Sequence, residues 1–138
     1  MSTLSEAIEQ IDAQTSWVKG VDLFGDITPV DRSNPNRSCF IYILSNGPPI
    51  WGIGSRDEPI VEQCSMQVIT RSKFANEAYA DIHALYRTIP LFFREVDILG
   101  VRWNHVLPKG VPSLLNREQD GRVLYSVNFD VMKSQSSG

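Results

Sequence analysis

The part of this 138-residue chain that most constrains its fold is residues 123–132, VLYSVNFDVM. Every second side chain from Val123 to Val131 is apolar, and Ser126, Asn128 and Asp130 lie between them. This period of two predicts a strand with one buried face. At ~3.3 Å per residue it spans roughly 33 Å, close to the full diameter implied by a radius of gyration of about 14 Å. We expect it to cross the whole domain, either in the middle of the sheet or partly paired with another molecule, because a long open edge invites uncontrolled pairing.

The composition predicts one domain. With 42% apolar residues and three Trp, the chain is long enough to bury about two thirds of its unfolded surface. We assign residues 1–132 to this domain and expect residues 133–138, KSQSSG, to be a disordered tail. Cys39 and Cys64 lie in apolar, strand-like runs, which favours small buried residues over a disulfide or a metal pair.

The charge and the termini exclude some classes of function. Lys and Arg number 13 against 16 Asp and Glu, a net charge of -3, which argues against a surface built to collect phosphates. The first residues, MSTLSE, lack the basic and apolar regions of a signal peptide, and no run of about 18 apolar residues occurs. We therefore expect a soluble protein made in the cytosol, with no membrane partner.

Two amphipathic helices are predicted. Thr3 and Glu6 match a capping box, and apolar residues continue at helical spacing, so the first helix should end near Gly20. Ser72 is a plausible N-cap for the second helix. Its apolar stripe continues at steps of three and four until Pro90 is expected to stop it.

Five segments have strand character, and three long segments between them are rich in Pro, Gly and Asn. The predicted strands are residues 21–24, 38–44, 60–71, 96–106 and 123–132. The irregular segments are residues 25–37, 45–59 and 107–121. This order predicts an α+β fold with a mainly antiparallel sheet of about five strands and two helices packed on one face.

The three irregular segments favour binding over catalysis, because loops of this length are uncommon in compact domains unless they are functional or disordered. They also carry apolar side chains that a free loop would not need. We predict that Trp51, Leu114, Leu115 and Arg117 lie at contacts with other protein molecules. The alternative, that the apolar ones fold back onto the domain's own core, stays open.

No catalytic constellation is visible. Asp81 and His83 are two residues apart on a predicted helix, which points their side chains in different directions. His105 is a lone histidine, and the carboxylates of Asp57 and Glu95 have no visible metal-site partners. The chain has no phosphate-binding loop, no His-Glu-x-x-His and no Cys-x-x-Cys. We expect no enzyme: no catalytic, cofactor-binding or metal residues, and no cofactor.

The order and spacing of several segments resemble a known family. The segments are residues 40–42 with the turn 47–49, residues 67–71, the helix 75–86, the polar run 116–122 and the alternating 125–131. Together they resemble the tail terminator proteins of long-tailed bacteriophages and prophages, also called tail-completion or minor tail proteins. The similarity spans nearly the whole chain and rests on patterns of structure, while residues 48–51 and 109–111 depart from the family.

The resemblance implies a structural virion protein, made in the host cytoplasm and located at the head-proximal end of the tail. Such proteins form a ring, usually a hexamer, that caps the tail tube, stops tube polymerisation and offers a surface to the head connector. Its partners would be copies of itself, the tail-tube protein and a connector or neck protein. DNA would pass through without specific binding, with which a net acidic chain is compatible. Alternatives are another neck or head-completion protein and, from a different class, a small hydrolase or nucleotide-binding enzyme.

Overall fold

The computed structural model describes residues 3–25, 36–44 and 61–134. These residues form two helices and seven strands. The helices are α1, Thr3–Gln14, and α2, Ala75–Phe92. The strands are β1, Leu23–Gly25; β2, Ser38–Leu44; β3, Val61–Ser72; β4, Val96–Ile98; β5, Val101–Pro108; β6, Ser113–Arg117; and β7, Val123–Ser134.

All seven strands belong to one sheet, in the order β1-β2-β3-β7-β5-β4, with β6 pairing to β7 beside this path. Only β1 and β2 pair in parallel; the other pairs are antiparallel. The predicted α+β class with a mainly antiparallel sheet is confirmed. The prediction of about five strands was too low. Residues 96–108 form a hairpin of two strands where one was predicted, and residues 113–117 form a further strand, β6.

β7 lies inside the sheet. β3 pairs with it along its whole length, from Ser72 opposite Val123 to Val61 opposite Ser134. β5 and β6 share its other side. Of the two arrangements that the length of this strand allows, the structure therefore has the central one. β7 also continues two residues past the predicted limit of 132, and the side chain of Lys133 is buried.

β5 and β6 act as one interrupted strand along β7. Pro108 pairs with Phe129 and Ser113 with Ser126, so four residues of the connection face only two of β7. The prediction that residues 107–121 are irregular was therefore wrong for β6. Residues 109–112, with Gly110 and Pro112, interrupt the pairing, but β7 offers partners on both sides of the interruption, which a local pattern does not show.

Both helices pack on the same face of the sheet, as predicted. Ala7 and Ile11 of α1 share one core with Ile82 and Leu85 of α2 and with strand residues such as Phe129. α1 contacts β1 and β2 near one side of the sheet and β4 at the other. The sheet therefore curls around α1, and the helix closes the concave side.

The first helix is shorter than its pattern predicts. It ends at Gln14 rather than near Gly20, and the Thr15 hydroxyl donates a 2.6 Å hydrogen bond to the Ile11 carbonyl. A turn follows in which the backbone N–H groups of Val21, Asp22 and Leu23 all donate to the Val18 carbonyl. A chain folded into this turn cannot continue the helix.

The second helix differs from its prediction at both ends. It continues through Pro90 to Phe92, and the N–H of Phe93 still reaches the Ile89 carbonyl at 3.1 Å. Pro90 removes the N–H that would bond to the carbonyl four residues earlier, but only two residues of the helix follow it, so the helix loses one hydrogen bond near its end. The N-cap position is Phe74 rather than Ser72, whose Oγ accepts a 3.1 Å hydrogen bond from the Phe74 N–H.

Neither of the two described helices combines the length and hydrophobicity needed to span a bilayer.

Candidate interaction surface

The three predicted interface residues that the structure describes lie together on β6, whose five residues are all exposed. The Leu114 side chain is 48% exposed and that of Leu115 is 46% exposed. They do not fold back onto the core, so the alternative left open by the sequence is excluded for this pair. Trp51 lies outside the described residues.

A β-bulge explains why two consecutive leucines both face outward. Leu114 pairs with Tyr125 and Asn116 with Leu124, so Leu115 has no partner on β7. In a regular strand neighbouring side chains point to opposite faces, and a bulge re-aims the extra residue and bends the strand. The same bulge makes the outer edge of β6 a poor template for another strand.

A buried group of charges holds the turn between β6 and β7. The Glu118 carboxylate lies 3.6 Å from Nη1 of Arg71 and 3.4 Å from Nε of Arg122. Asp120 Oδ2 lies 2.8 Å from the same Nε, out of line for a hydrogen bond. The side chains of Arg71, Glu118 and Arg122 are all less than 10% exposed. Two positive and two negative charges offset each other here, which limits the cost of burying them.

The backbone of this turn is equally defined. The Glu118 N–H donates to the Arg122 carbonyl at 2.7 Å, and the Gly121 N–H donates to the Glu118 carbonyl at 3.0 Å. Gly121 has a φ of 93°, a conformation that side-chain-bearing residues rarely adopt. The hairpin therefore presents β6 on a rigid support. The sequence shows the charged run 116–122 but gives no sign that Arg71, on β3, completes it.

An aromatic ridge continues this surface onto α2. Leu114 is the cross-strand neighbour of Tyr125, whose ring lies 5.5 Å from that of Tyr79. The Tyr79 ring lies 4.2 Å from His83, which lies 6.1 Å from Tyr86. Tyrosines offer large, rigid contact area with a polar tip. The sequence placed these residues on a strand and a helix but did not mark them as a surface.

Asp81 and His83 serve different neighbours, as their spacing predicts. The buried Asp81 carboxylate accepts hydrogen bonds of 2.9 and 2.7 Å from Nε and Nη2 of Arg37. This bond to Asp81 raises the pKa of the Arg37 guanidinium. The Arg37 guanidinium also lies 5.4 Å from the centre of the Trp17 ring. Asp81 thus ties α2 to the start of β2, while His83 belongs to the aromatic ridge.

A separate open pocket of about 290 Å³ contains His105. Its Nδ1 is buried, without a hydrogen-bond partner among the described residues. The pocket is lined by Gln63, Cys64, His105, Leu107, Asp130, Val131 and Met132. Within residues 3–25, 36–44 and 61–134, no three His, Cys, Asp or Glu side chains form a group that could hold a metal ion.

Both cysteines are buried thiols, as their apolar surroundings predict. Burial raises the pKa of the Cys39 thiol, and the charges of Asp81 and Asp22 act in the same direction. This thiol is therefore neutral and inert, as expected of a core residue.

No protein-family model matches the chain, and no curated protein matches its sequence. The fold and the surface together define a class: an α+β domain with one curled, mainly antiparallel sheet that displays an exposed, bulged hairpin strand beside an aromatic ridge.

Proposed function

We propose that this protein is a structural component of a bacteriophage tail, a tail terminator that forms a ring, caps the tail tube and ends its polymerisation. The observation that carries the proposal is β6: two half-exposed leucines and an exposed arginine on a hairpin that buried charges hold in place. This rigid, partly apolar surface suits permanent contact with protein.

A closed ring of identical subunits requires a heterologous interface, in which each subunit offers two different surfaces. Interfaces take much of their energy from a few buried anchors, among which Tyr and Arg are common and Leu is less so. Arg117 and the tyrosines of the ridge meet this description, and Leu114 connects them. The tail-tube protein and a head connector or neck protein would bind the two ends of the ring, and DNA would pass through without specific binding.

The first experiment measures the mass of the assembly. Native mass spectrometry and size-exclusion chromatography of the purified protein, alone and with tail-tube protein, should show a ring of about six subunits. A protein that stays monomeric in both conditions contradicts the proposal. A tail-tube gene immediately downstream would be inexpensive supporting evidence.

The nearest alternative is another neck or head-completion protein, which would use the same kind of ring. An amber mutant separates the two by electron microscopy. Abnormally long tails indicate a terminator, whereas tails of normal length beside unjoined heads indicate a neck protein.

The pocket around His105 is the observation that favours an enzyme. A hydrolase or nucleotide-binding enzyme would lose its function when His105, Glu95 and Asp57 are all replaced; Asp57 lies outside the described residues. We expect the triple variant to support phage assembly normally. A metal ion or nucleotide that copurifies with the protein would favour the enzyme instead.

A further inference from the structure

We infer that the copies in the ring join head to tail, with β6 of one copy seated on the turn between α1 and β1 of the next copy. We call this turn, residues 15–22, the α1–β1 turn. The inference rests on the proposed ring and names the two surfaces that close it.

The register of the sheet places the α1–β1 turn and β6 at the same level along the strand direction. One cross-strand row runs from Leu23 through Cys39, Thr70 and Tyr125 to Leu114. β1 and β6 are the outer strands of this row, separated by four strand spacings or roughly 19 Å along the sheet. Copies placed side by side, without being turned over, therefore bring β6 of one towards β1 of the next.

The contact is made by side chains rather than by a shared backbone ladder. The Leu23 N–H donates to the Val18 carbonyl at 3.1 Å, and the Leu23 carbonyl accepts from the Gly20 N–H at 3.0 Å. The α1–β1 turn thus already covers β1 at this point. On the opposing surface, the bulge at Leu115 breaks the regular edge of β6.

Both surfaces display paired aliphatic side chains. The α1–β1 turn exposes Val18 at 46% and Val21 at 59%. These valines match Leu114 and Leu115 in number and are similarly exposed. Burying all four removes from water the largest aliphatic groups on either surface, which favours association.

The charges of the two surfaces are opposite. Around the α1–β1 turn lie the carboxylates of Glu9, Asp12 and Asp22 and the ammonium of Lys19, so three negative charges and one positive charge leave about -2. The Arg37 guanidinium over Trp17 does not change this sum, because Asp81 pairs with it. On β6, Arg117 forms no ion pair with another described residue. Complementary charges of this kind set the orientation of docking and speed association.

The strand directions place these charges together. β6 runs antiparallel to β7, β7 to β3 and β3 to β2, and β1 is parallel to β2. β6 is therefore antiparallel to β1. Arg117, which follows Leu114, thus lies towards the same end of the sheet as Asp22, which precedes Leu23.

A complementation experiment tests the inference. One variant alters only β6, L114D with L115D, and the other alters only the turn, V18D with V21D. Each alone should remain monomeric by native mass spectrometry. Mixed in equal amounts, they should form a 1:1 heterodimer and nothing larger, because only the intact β6 of one and the intact turn of the other still match. Aspartates on both altered surfaces repel each other and cannot restore a ring.

The outcomes separate the two levels of the proposal. Wild-type protein that stays monomeric even with tail-tube protein overturns both the ring and this contact. If the wild type forms a ring and the turn variant, V18D with V21D, also forms one, the proposed function stands and this contact is overturned. A mixture that stays monomeric likewise overturns it. Circular dichroism should show that each variant is folded, because the substituted positions are exposed.

Crosslinking gives an independent measurement. A chain carrying both L115C and V21C should form a ladder of disulfide-linked oligomers under mild oxidation, since the native Cys39 and Cys64 are buried. The matched control is L91C with V21C. Leu91 is 72% exposed but lies at the C-terminal end of α2, away from Tyr79 and β6. A ladder in the control and none in the first protein would contradict the predicted contact.

Discussion

Glu6 in α1 accepts a 2.9 Å hydrogen bond from the indole N–H of Trp103 in β5, inside the core. The Lys133 ammonium lies 3.3 Å from the same carboxylate oxygen and 5.9 Å from the centre of the Trp103 ring. All three side chains are buried. This group fixes α1 against the concave face of the sheet.

Replacing Glu6 by Gln should lower the free energy of unfolding by about 3–5 kcal/mol, because it leaves the buried Lys133 charge without this carboxylate partner. Urea denaturation followed by circular dichroism measures the change. The matched control is Glu9→Gln, which removes the exposed ion pair with Lys19 and should cost much less, because solvent screens such pairs. Equal losses for both variants would contradict a special role for Glu6.

Replacing Glu118 by Gln should destabilise the hairpin, because Arg71 and Arg122 would then face each other in a buried site with less compensating charge. We expect a loss of about 2–4 kcal/mol in urea denaturation. Relative to the wild type, amide hydrogen exchange in the variant should speed up more in β6 than in β3. An exposed neighbour, Gln119, replaced by Ala, should change neither measurement.

Pro90→Ala should stabilise the protein by about 1 kcal/mol. The change restores the N–H that Pro90 lacks within the last turn of α2, and the gain is reduced because Ala leaves the unfolded chain more flexible than Pro. Thermal and urea denaturation measure the difference. A clear loss of stability would show that the proline ring contributes packing that outweighs the missing hydrogen bond.

Cys39 should make the protein less stable at high pH. Its folded pKa is raised by burial above the ordinary 9.0, so above about pH 9 the unfolded chain releases this proton while the folded protein keeps it. The stability that the neutral Cys39 thiol contributes is fully present below pH 9. It is lost as the pH rises towards the pKa of this thiol in the folded protein, by up to ~1.4 kcal/mol per pH unit.

Comparing wild type with Cys39→Ala isolates this thiol. The variant is expected to be less stable overall, because it leaves a cavity, but its stability should fall less steeply between pH 9 and 10.5. Parallel curves would exclude Cys39 as the source. A thiol reagent should modify Cys39 only after denaturation.

Replacing Leu114 and Leu115 with Asp should abolish ring assembly while the monomer stays folded, since both side chains are half exposed. Sedimentation velocity and circular dichroism measure the two properties. Leu91→Asp, at a more exposed site distant from β6, serves as the control and should assemble. Unchanged assembly of the double variant would remove β6 from the interface.

The sequence alone determined the elements whose patterns are local. β2 was predicted with its observed bounds, and β3 and β7 to within two residues at each end, because burial of one face imposes alternation along the strand itself. Apolar side chains in the segment around Pro112 led to the prediction that Leu114 and Leu115 lie at protein contacts, and the structure shows both side chains half exposed.

Only the tertiary structure decided which distant residues meet. Arg71 joins Glu118, and Glu6 joins Lys133, through strand pairing and helix packing that no local pattern encodes. β6 is a strand because β7 supplies its partners beyond the proline interruption. Likewise, the cross-strand row from Leu23 to Leu114 exists only once the registers of β1 with β2, β2 with β3, β3 with β7 and β7 with β6 are fixed. Local patterns record burial and turn chemistry, whereas register and long-range charge pairing arise when the elements pack.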